Sequence, residues 1–328
     1  MKKLLTFFAV IFVGVTLTAC DVAGNFENTT PPQTIYETKY ETTTIYQTLD
    51  INELYELYKT EILAEDPNAV VTFGDFIQYL SLNVSDTEYA SSIGIKSVVS
   101  IFSTFQCREY FRIGKQSYYN DYTVQGAGSG VIYKISEDND EEESVYIVTN
   151  YHVIYDANCT TDNRIANEIS VYSYDAENTA INATFVDGDI ENDIAVLKAD
   201  KSDFSNGVVA VTIADHNQLK AGQTAVAIGN SLGAGLKVTA GIISDTDEEI
   251  TMEALDPDDP DGEMTLHLIQ TDTAINAGNS GGGLFNARGE LVGIVNAKMV
   301  QSGVENTGYA IPLNTANKKI LDDIINAE

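Results

Sequence analysis

The feature that most constrains this fold is a long series of short apolar runs separated by turn residues. The series starts near Ile93, and no long helical pattern interrupts it. Such spacing favours antiparallel strands over βαβ units. We therefore predict an all-β fold of two six-stranded antiparallel β-barrels. The predicted strands are 96–103, 128–135, 145–150, 168–174, 180–187, 194–198, 224–228, 237–244, 265–271, 283–286, 290–296 and 306–311.

Helices are predicted on both sides of the β-rich region. Asp50 and Glu53 form a capping box, and the apolar residues after them repeat with a helical period over 51–64. A second, shorter helix is predicted to start near Asp75. At the other end, the apolar spacing predicts a terminal helix over 313–325.

Three residues in these runs have the chemistry of a nucleophilic triad. Ser280 lies in the sequence AGNSGGG, whose glycines permit backbone conformations that present the hydroxyl. His152 directly follows a predicted strand, and Asp193 precedes the apolar run IAVL. Each residue alone has an ordinary structural explanation. Together, their order His, Asp, Ser on an all-β chain is that of the chymotrypsin-like proteases, in which serine attacks and histidine takes its proton.

Seven motifs, in order along the chain, resemble the trypsin-like protease domain of the HtrA/DegP family. They are GSGVI at 128–132, IVTNYHV at 147–153, DIAVLK at 193–198, AIGNSLG at 227–233, VTAGIIS at 238–244, QTDTAINAGNSGG at 270–282 and GYAIP at 308–312. The resemblance extends over about residues 95–326. It implies a serine endopeptidase with His152 as general base, Asp193 as its orienting carboxylate and Ser280 as nucleophile.

The resemblance also implies an oxyanion hole at the glycine-rich turn. Its donors would be the backbone amides of Gly278 and Ser280, and the amide of Asn279 between them is expected to assist. These amides would stabilise the negative oxygen that develops when the serine attacks a carbonyl.

A specificity pocket is expected on the two sides of the nucleophile. Six residues before Ser280, where trypsins carry an acid that binds Lys or Arg, this chain has Ala274. By analogy, Ile294, Val295 and Asn296 would line one wall of the pocket. We therefore expect a preference for small or medium aliphatic side chains before the scissile bond.

The chain departs from the family after its last strand. Family members commonly carry one or two PDZ domains there, whereas only the predicted terminal helix follows Pro312. We expect a form without a PDZ domain. The resemblance implies polypeptide substrates, no cofactor and, by family analogy, a homo-oligomer such as a trimer.

Two alternative functions also fit parts of the sequence. Ser231 also fits a GxSxG motif, and Asp256 and His267 follow it in the order of an α/β-hydrolase. That motif needs a strand-to-helix turn, whereas a strand is predicted after Ser231. The other alternative is a non-catalytic surface lipoprotein that uses the barrels as a binding or chaperone module; the intact set of three catalytic groups argues against it.

The N-terminus has the pattern of an export signal. Lys2 and Lys3 precede an apolar stretch, and the segment ends in LTAC, which resembles the lipobox of bacterial lipoproteins. We predict a signal peptide over 1–19 and lipidation of Cys20. A Thr- and Tyr-rich tether over 20–49, a helical segment over 50–92 and the protease domain over 93–328 follow. This predicts an extracytoplasmic lipoprotein of the cell envelope, anchored to the membrane.

The remaining cysteines and the net charge limit other functions. Cys107 and Cys159 are either a disulfide or free thiols, because export permits both. Without CxxC or HExxH spacing, a zinc site is not expected. The net charge of −31 argues against nucleic acid or an anionic membrane as electrostatic partners. Acidic runs at 137–143 and 245–263 are predicted to lie in loops.

Overall fold

A computed structural model describes most of the chain after residue 50. The described residues are 51–65, 71–72, 85–137, 143–161, 163–176, 178–204, 208–297 and 307–327. They all belong to the second of two compact units, which spans Thr48–Glu328. The predicted signal peptide, the tether and the helix near Asp75 lie outside the described residues. Within these residues, no helix is long and apolar enough to cross a membrane.

Twelve strands and four α-helices form the described structure. The helices are α1 (Ile51–Glu65), α2 (Asp86–Gly94), the single turn α3 (Tyr151–Ile154) and α4 (Thr315–Ala327). The strands are β1 (Val98–Ile113), β2 (Gln116–Glu137), β3 (Glu143–Thr149), β4 (Glu168–Ser173), β5 (Ile181–Asp189), β6 (Ile194–Asp200), β7 (Thr224–Gly229), β8 (Lys237–Glu253), β9 (Glu263–Thr271), β10 (Gly283–Phe285), β11 (Leu291–Asn296) and β12 (Gly308–Pro312).

The strands close into two antiparallel barrels. The first has the order β1-β2-β3-β6-β5-β4, and the second has the order β10-β11-β12-β9-β8-β7. Each last strand pairs with the first, as in the pairing of β1 with β4 and of β10 with β7. The predicted all-β fold of two six-stranded barrels is therefore confirmed.

Strand alternation explains how the two barrels hold together. In β3, Val145 and Ile147 point into the first barrel, while Tyr146 and Val148 join a cluster that also contains residues of the second barrel. Alternate side chains of a strand face opposite sides, so one apolar strand can serve both layers. Buried strands of both barrels therefore support the region where the barrels meet.

Two hairpins are longer than the sequence predicts. Pairing of β1 with β2 continues from Val98↔Val131 to Ile113↔Gln116. Pairing of β8 with β9 continues to Glu253↔Glu263. The prediction that the whole acidic run 245–263 is a loop is therefore wrong, because its first half continues β8. Cross-strand contacts such as the hydrogen bond between Thr251 and Thr265 keep these exposed residues in register.

Helices precede and follow the barrel strands along the chain. The predicted helix over 51–64 is confirmed as α1, and the terminal helix is confirmed as α4, shifted by two residues. Helix α2 was not predicted. Its cap is Ser85, whose hydroxyl accepts a hydrogen bond from the Glu88 amide, and Ala90 packs in the cluster between the barrels. Leu321 of α4 packs in the same cluster.

Candidate active site

His152 and Asp193 of the first barrel are in direct contact. His152 lies in α3, immediately after β3, and Asp193 lies immediately before β6, the neighbour of β3 in the sheet. His152 Nδ1 is 2.7 Å from Asp193 Oδ2, and the His152 amide donates to Asp193 Oδ1 at 2.9 Å. An ionised carboxylate accepts hydrogen bonds only, so Nδ1 carries the hydrogen and Nε2 is left as the basic nitrogen.

Asp193 is held in a buried and strained position. Its residue is 2% exposed, and its backbone has a φ of 52°. Left-handed backbone is uncommon for a residue other than glycine and is typical of functional sites. Asn296 Nδ2 donates to Asp193 Oδ2 at 2.8 Å, which gives the buried carboxylate a third donor. Three donors offset the cost of burying its charge.

Ser280 lies in a tight turn between β9 and β10 of the second barrel. Gly278 and Gly281 on its two sides have φ values of 92° and 82°. A Cβ at Gly278 would come within 2.3 Å of the Asn230 carbonyl oxygen, and one at Gly281 within 2.1 Å of the Ser129 carbonyl oxygen. Only glycine fits at both positions. The glycine-rich sequence around Ser280 is thus required by the backbone of the turn.

The peptide between Ala277 and Gly278 is oriented by a neighbouring loop. The Ala277 carbonyl accepts a hydrogen bond of 2.8 Å from the Leu232 amide. In a trans peptide the carbonyl and the following N–H point in opposite directions, so the Gly278 N–H faces away from Leu232. This leaves Gly278 available as an oxyanion donor. The Asn279 amide is instead engaged with the Asn276 carbonyl at 3.0 Å, which corrects the expectation that it assists.

The Ser280 hydroxyl is bonded to its own barrel. Its Oγ accepts a hydrogen bond of 3.1 Å from the Ala297 amide. Among the described residues, no hydrogen bond joins Ser280 Oγ to His152. The hydroxyl must come within hydrogen-bond distance of His152 Nε2 before it can donate its proton.

Two buried side chains of the first barrel reach the turn of the second. Asn150, fully buried, donates to the Asp193 carbonyl at 3.1 Å and accepts from the Gly281 amide at 2.7 Å. Ser129 Oγ donates to the Gly278 carbonyl at 2.7 Å and accepts from the Asn230 amide at 2.7 Å. Sequence reasoning missed both roles. The only signal was their position inside motifs that carry the family resemblance.

The residues predicted to line the specificity pocket are mostly buried. Ile294 packs in the cluster between the barrels and Val295 inside the second barrel, and neither is more than 1% exposed. Asn296 is also buried and contacts Asp193. β11 is buried on both faces, so these three side chains contact the barrel cores and Asp193, and their place in a specificity pocket stays a prediction. Ala274 is exposed, and its role in specificity stays a prediction.

The rival hydrolase residues are not brought together. His267 is exposed and its Nδ1 lies 2.9 Å from Asp247 Oδ1, while Asp256 forms an ion pair with Arg164. Ser231 lies in a short 3₁₀ turn that leads into β8, a strand, as predicted. An α/β-hydrolase site would need a helix there.

Cys107 and Cys159 are both buried, free and directly opposed. They face each other across an isolated antiparallel β-bridge and pack with Phe105. Burial raises the pKa of the Cys107 thiol, and the nearby charge of Asp156 raises it further. The geometry suits a disulfide as well as two thiols, so the pairing stays a prediction.

Comparisons with known proteins show the family of this chain. A family model described as trypsin-like peptidase domain matches residues 128–294. The chain belongs to the trypsin-like peptidase family. Serine protease Do-like HtrA of Bacillus subtilis (strain 168) is 36% identical over 205 residues, which cover 62% of this chain and 40% of that protein. The Do-like HtrB of the same organism is 38% identical over 199 residues, covering 60% and 38%.

Two further similar proteins are also named as HtrA-like or HtrA-type proteases. A serine protease HtrA-like of Staphylococcus aureus (strain USA300) is 36% identical over 197 residues, covering 60% of this chain and 23% of that protein. A solved HtrA-type protease with a tripeptide is 31% identical, with a TM-score of 0.49, and the match covers 72% of this chain and 62% of that one. The predicted resemblance to HtrA proteases is confirmed. This trypsin-like chain spans 40% or less of these three curated relatives.

Proposed function

We propose that this chain is a serine endopeptidase that cleaves exported or misfolded polypeptides outside the cytoplasm. The observation that carries the proposal is the contact between His152 and Asp193. Buried side chains of the first barrel link this pair to the turn of the second barrel, where the serine lies between two glycines. A buried carboxylate on Nδ1 leaves Nε2 free to take a proton. This is the arrangement that activates a serine hydroxyl.

In the first step, Ser280 Oγ attacks the carbonyl carbon of a peptide bond. His152 Nε2 takes the hydroxyl proton, and the amides of Gly278 and Ser280 stabilise the oxyanion. As the carbon–nitrogen bond breaks, His152 gives the proton to the leaving amine. The product is an ester between Ser280 and the N-terminal part of the substrate.

In the second step, water attacks this ester. His152 takes a proton from the water and returns it to Ser280 Oγ as the carbon–oxygen bond of the ester breaks. The carboxylic acid leaves and the free enzyme is restored. Asp193 stays ionised and steadies the imidazolium that forms in both steps.

The cellular place of this activity is part of the proposal. A signal peptide over 1–19 would direct export of the chain, and a lipid on Cys20 would anchor the protease to a membrane outside the cytoplasm. Metabolic labelling with a palmitate analogue tests the anchor. We expect label on the wild-type chain and none on Cys20→Ser.

Casein hydrolysis by the full chain tests the activity. We expect Ser280→Ala to lose activity by about 10⁴-fold or more, because the attacking oxygen is removed. Ser231→Ala is the matched control and should stay within about two-fold of wild type. Full activity in the Ser280 variant, or no activity in folded wild-type protein, would contradict the proposal.

A further inference from the structure

The end of the β1–β2 hairpin projects away from the first barrel. Its last described bond to the rest of the barrel is from the Arg108 amide to the Asn158 carbonyl, at 3.0 Å. Beyond it, residues 109–113 pair with residues 116–120 across a two-residue turn that starts at Gly114. Five extended residues per strand give a tip about 17 Å long. We call residues 109–120 the hairpin tip.

The hairpin tip exposes large apolar side chains. Tyr110 is 71%, Ile113 is 65% and Tyr119 is 61% exposed, and Phe111 and Tyr118 are exposed as well. These five are nearly half of the eleven exposed large hydrophobic residues in the described structure. Clustering of this kind marks a binding surface, whereas single exposed apolar residues do not.

The aromatic residues lie on both faces of the tip. Tyr110 and Tyr119 are opposite each other on one face, with ring centres 6.3 Å apart. Phe111 and Tyr118 stack on the other face, with ring centres 5.8 Å apart. A protein partner that docks on a flat surface would cover only one of these faces. An environment that surrounds the tip would cover both.

The charge of the tip is opposite to that of the chain. The hairpin tip contains Arg112 and Lys115 against one acidic residue, Glu109, so its formal charge is +1 although the chain carries −31. At the base, Arg108 is paired with Asp121 in two hydrogen bonds of 2.6 and 2.9 Å. The Debye length in physiological salt is about 8 Å, so a tip of this length is largely screened from the acidic body.

We propose that the hairpin tip inserts into the headgroup region of an anionic phospholipid membrane. Tyrosine favours this layer because its ring is apolar while its hydroxyl stays hydrated, and phenylalanine adds apolar area that leaves water. Arg112 and Lys115 attract anionic headgroups. The exposed backbone edges stay hydrogen-bonded to water there. The net negative charge of the whole chain opposes binding to an anionic membrane, and the positively charged tip is the local exception.

Tryptophan fluorescence tests the insertion, because the chain contains no tryptophan. In the full chain with Cys20→Ser, Tyr110→Trp and Tyr118→Trp place a reporter on each face of the tip. Val209→Trp, at an exposed site elsewhere, is the control. With vesicles of phosphatidylglycerol and brominated phosphatidylcholine, both tip reporters should shift to the blue and be quenched, and the control should not change.

Four results would overturn the proposal. They are no quenching at the tip, quenching on only one face, equal quenching without phosphatidylglycerol, and a blue shift without vesicles that grows with protein concentration. The last would identify a second copy of the chain as the partner.

A charge reversal tests the contribution of the basic residues. Arg112→Glu with Lys115→Glu should lower the vesicle partition coefficient by about ten-fold or more. Lys220→Glu with Lys237→Glu, also exposed, removes the same charge elsewhere and should change it much less. Equal losses in the two pairs would contradict the role of the tip.

Discussion

The first barrel holds its two proposed triad residues in direct contact, whereas the second barrel holds Ser280 in a hydrogen bond with its own Ala297 amide. The proposed acid–base pair is therefore formed within one barrel. Among the described residues, Ser280, the proposed nucleophile, has no hydrogen bond to His152. The contacts that position the proposed site are therefore divided unequally between the barrels, since the first barrel also orders the turn of the second through Asn150 and Ser129.

The largest expected effect comes from breaking the pair in the first barrel. Asp193→Asn should lower kcat by about 10⁴-fold, because the amide can hold His152 in the wrong tautomer while leaving the fold intact. Peptide-ester kinetics measure the loss. Asp189→Asn is the matched control, because Asp189 lies near Asp193 in the sequence but its carboxylate contacts Asn192. A loss below about ten-fold would show that the pair does not drive the reaction.

A smaller effect is expected from the link between the barrels. Ser129→Ala removes the donor to the Gly278 carbonyl and should lower kcat by about ten-fold with KM unchanged. Binding of a peptide boronate, which resembles the transition state, should weaken by the same factor. The pH profile should stay the same, because His152 and Asp193 are untouched.

Ser103→Ala is the control for that variant. Ser103 is also a buried serine of the first barrel, and its hydroxyl has no hydrogen-bond partner among the described residues. We expect its kinetics to match wild type. A rise in KM without a change in kcat, or equal losses of kcat in the two variants, would contradict a positioning role for Ser129.

The smallest effect is expected at the cysteine pair beside the first barrel. Oxidised glutathione should join Cys107 to Cys159 with less than about two-fold change in kcat, because the thiols already face each other. The raised pKa of Cys107 keeps it protonated near neutral pH, so the reaction should speed up as pH rises. Non-reducing peptide mapping detects the bond, and a mixed disulfide alone would contradict the geometry.

Regular patterns made the barrels predictable and pointed to the residues of the proposed triad. The apolar strands that face a core have a clear period, and His152, Asp193 and Ser280 lie at strand ends in recognisable motifs. The hairpin extensions lack such a period, since their aromatic and charged residues face solvent on both sides. The contact of Asn296 with Asp193 joins residues 103 positions apart, which local sequence does not encode.

Active-site labelling tests the central claim most directly, namely that the two barrels assemble one catalytic serine. The full chain is treated with a fluorophosphonate probe, digested and mapped by mass spectrometry. We predict a single adduct on the peptide that contains Ser280, with labelling strongly reduced in His152→Ala. An adduct on Ser231, or labelling that does not depend on His152, would contradict the account.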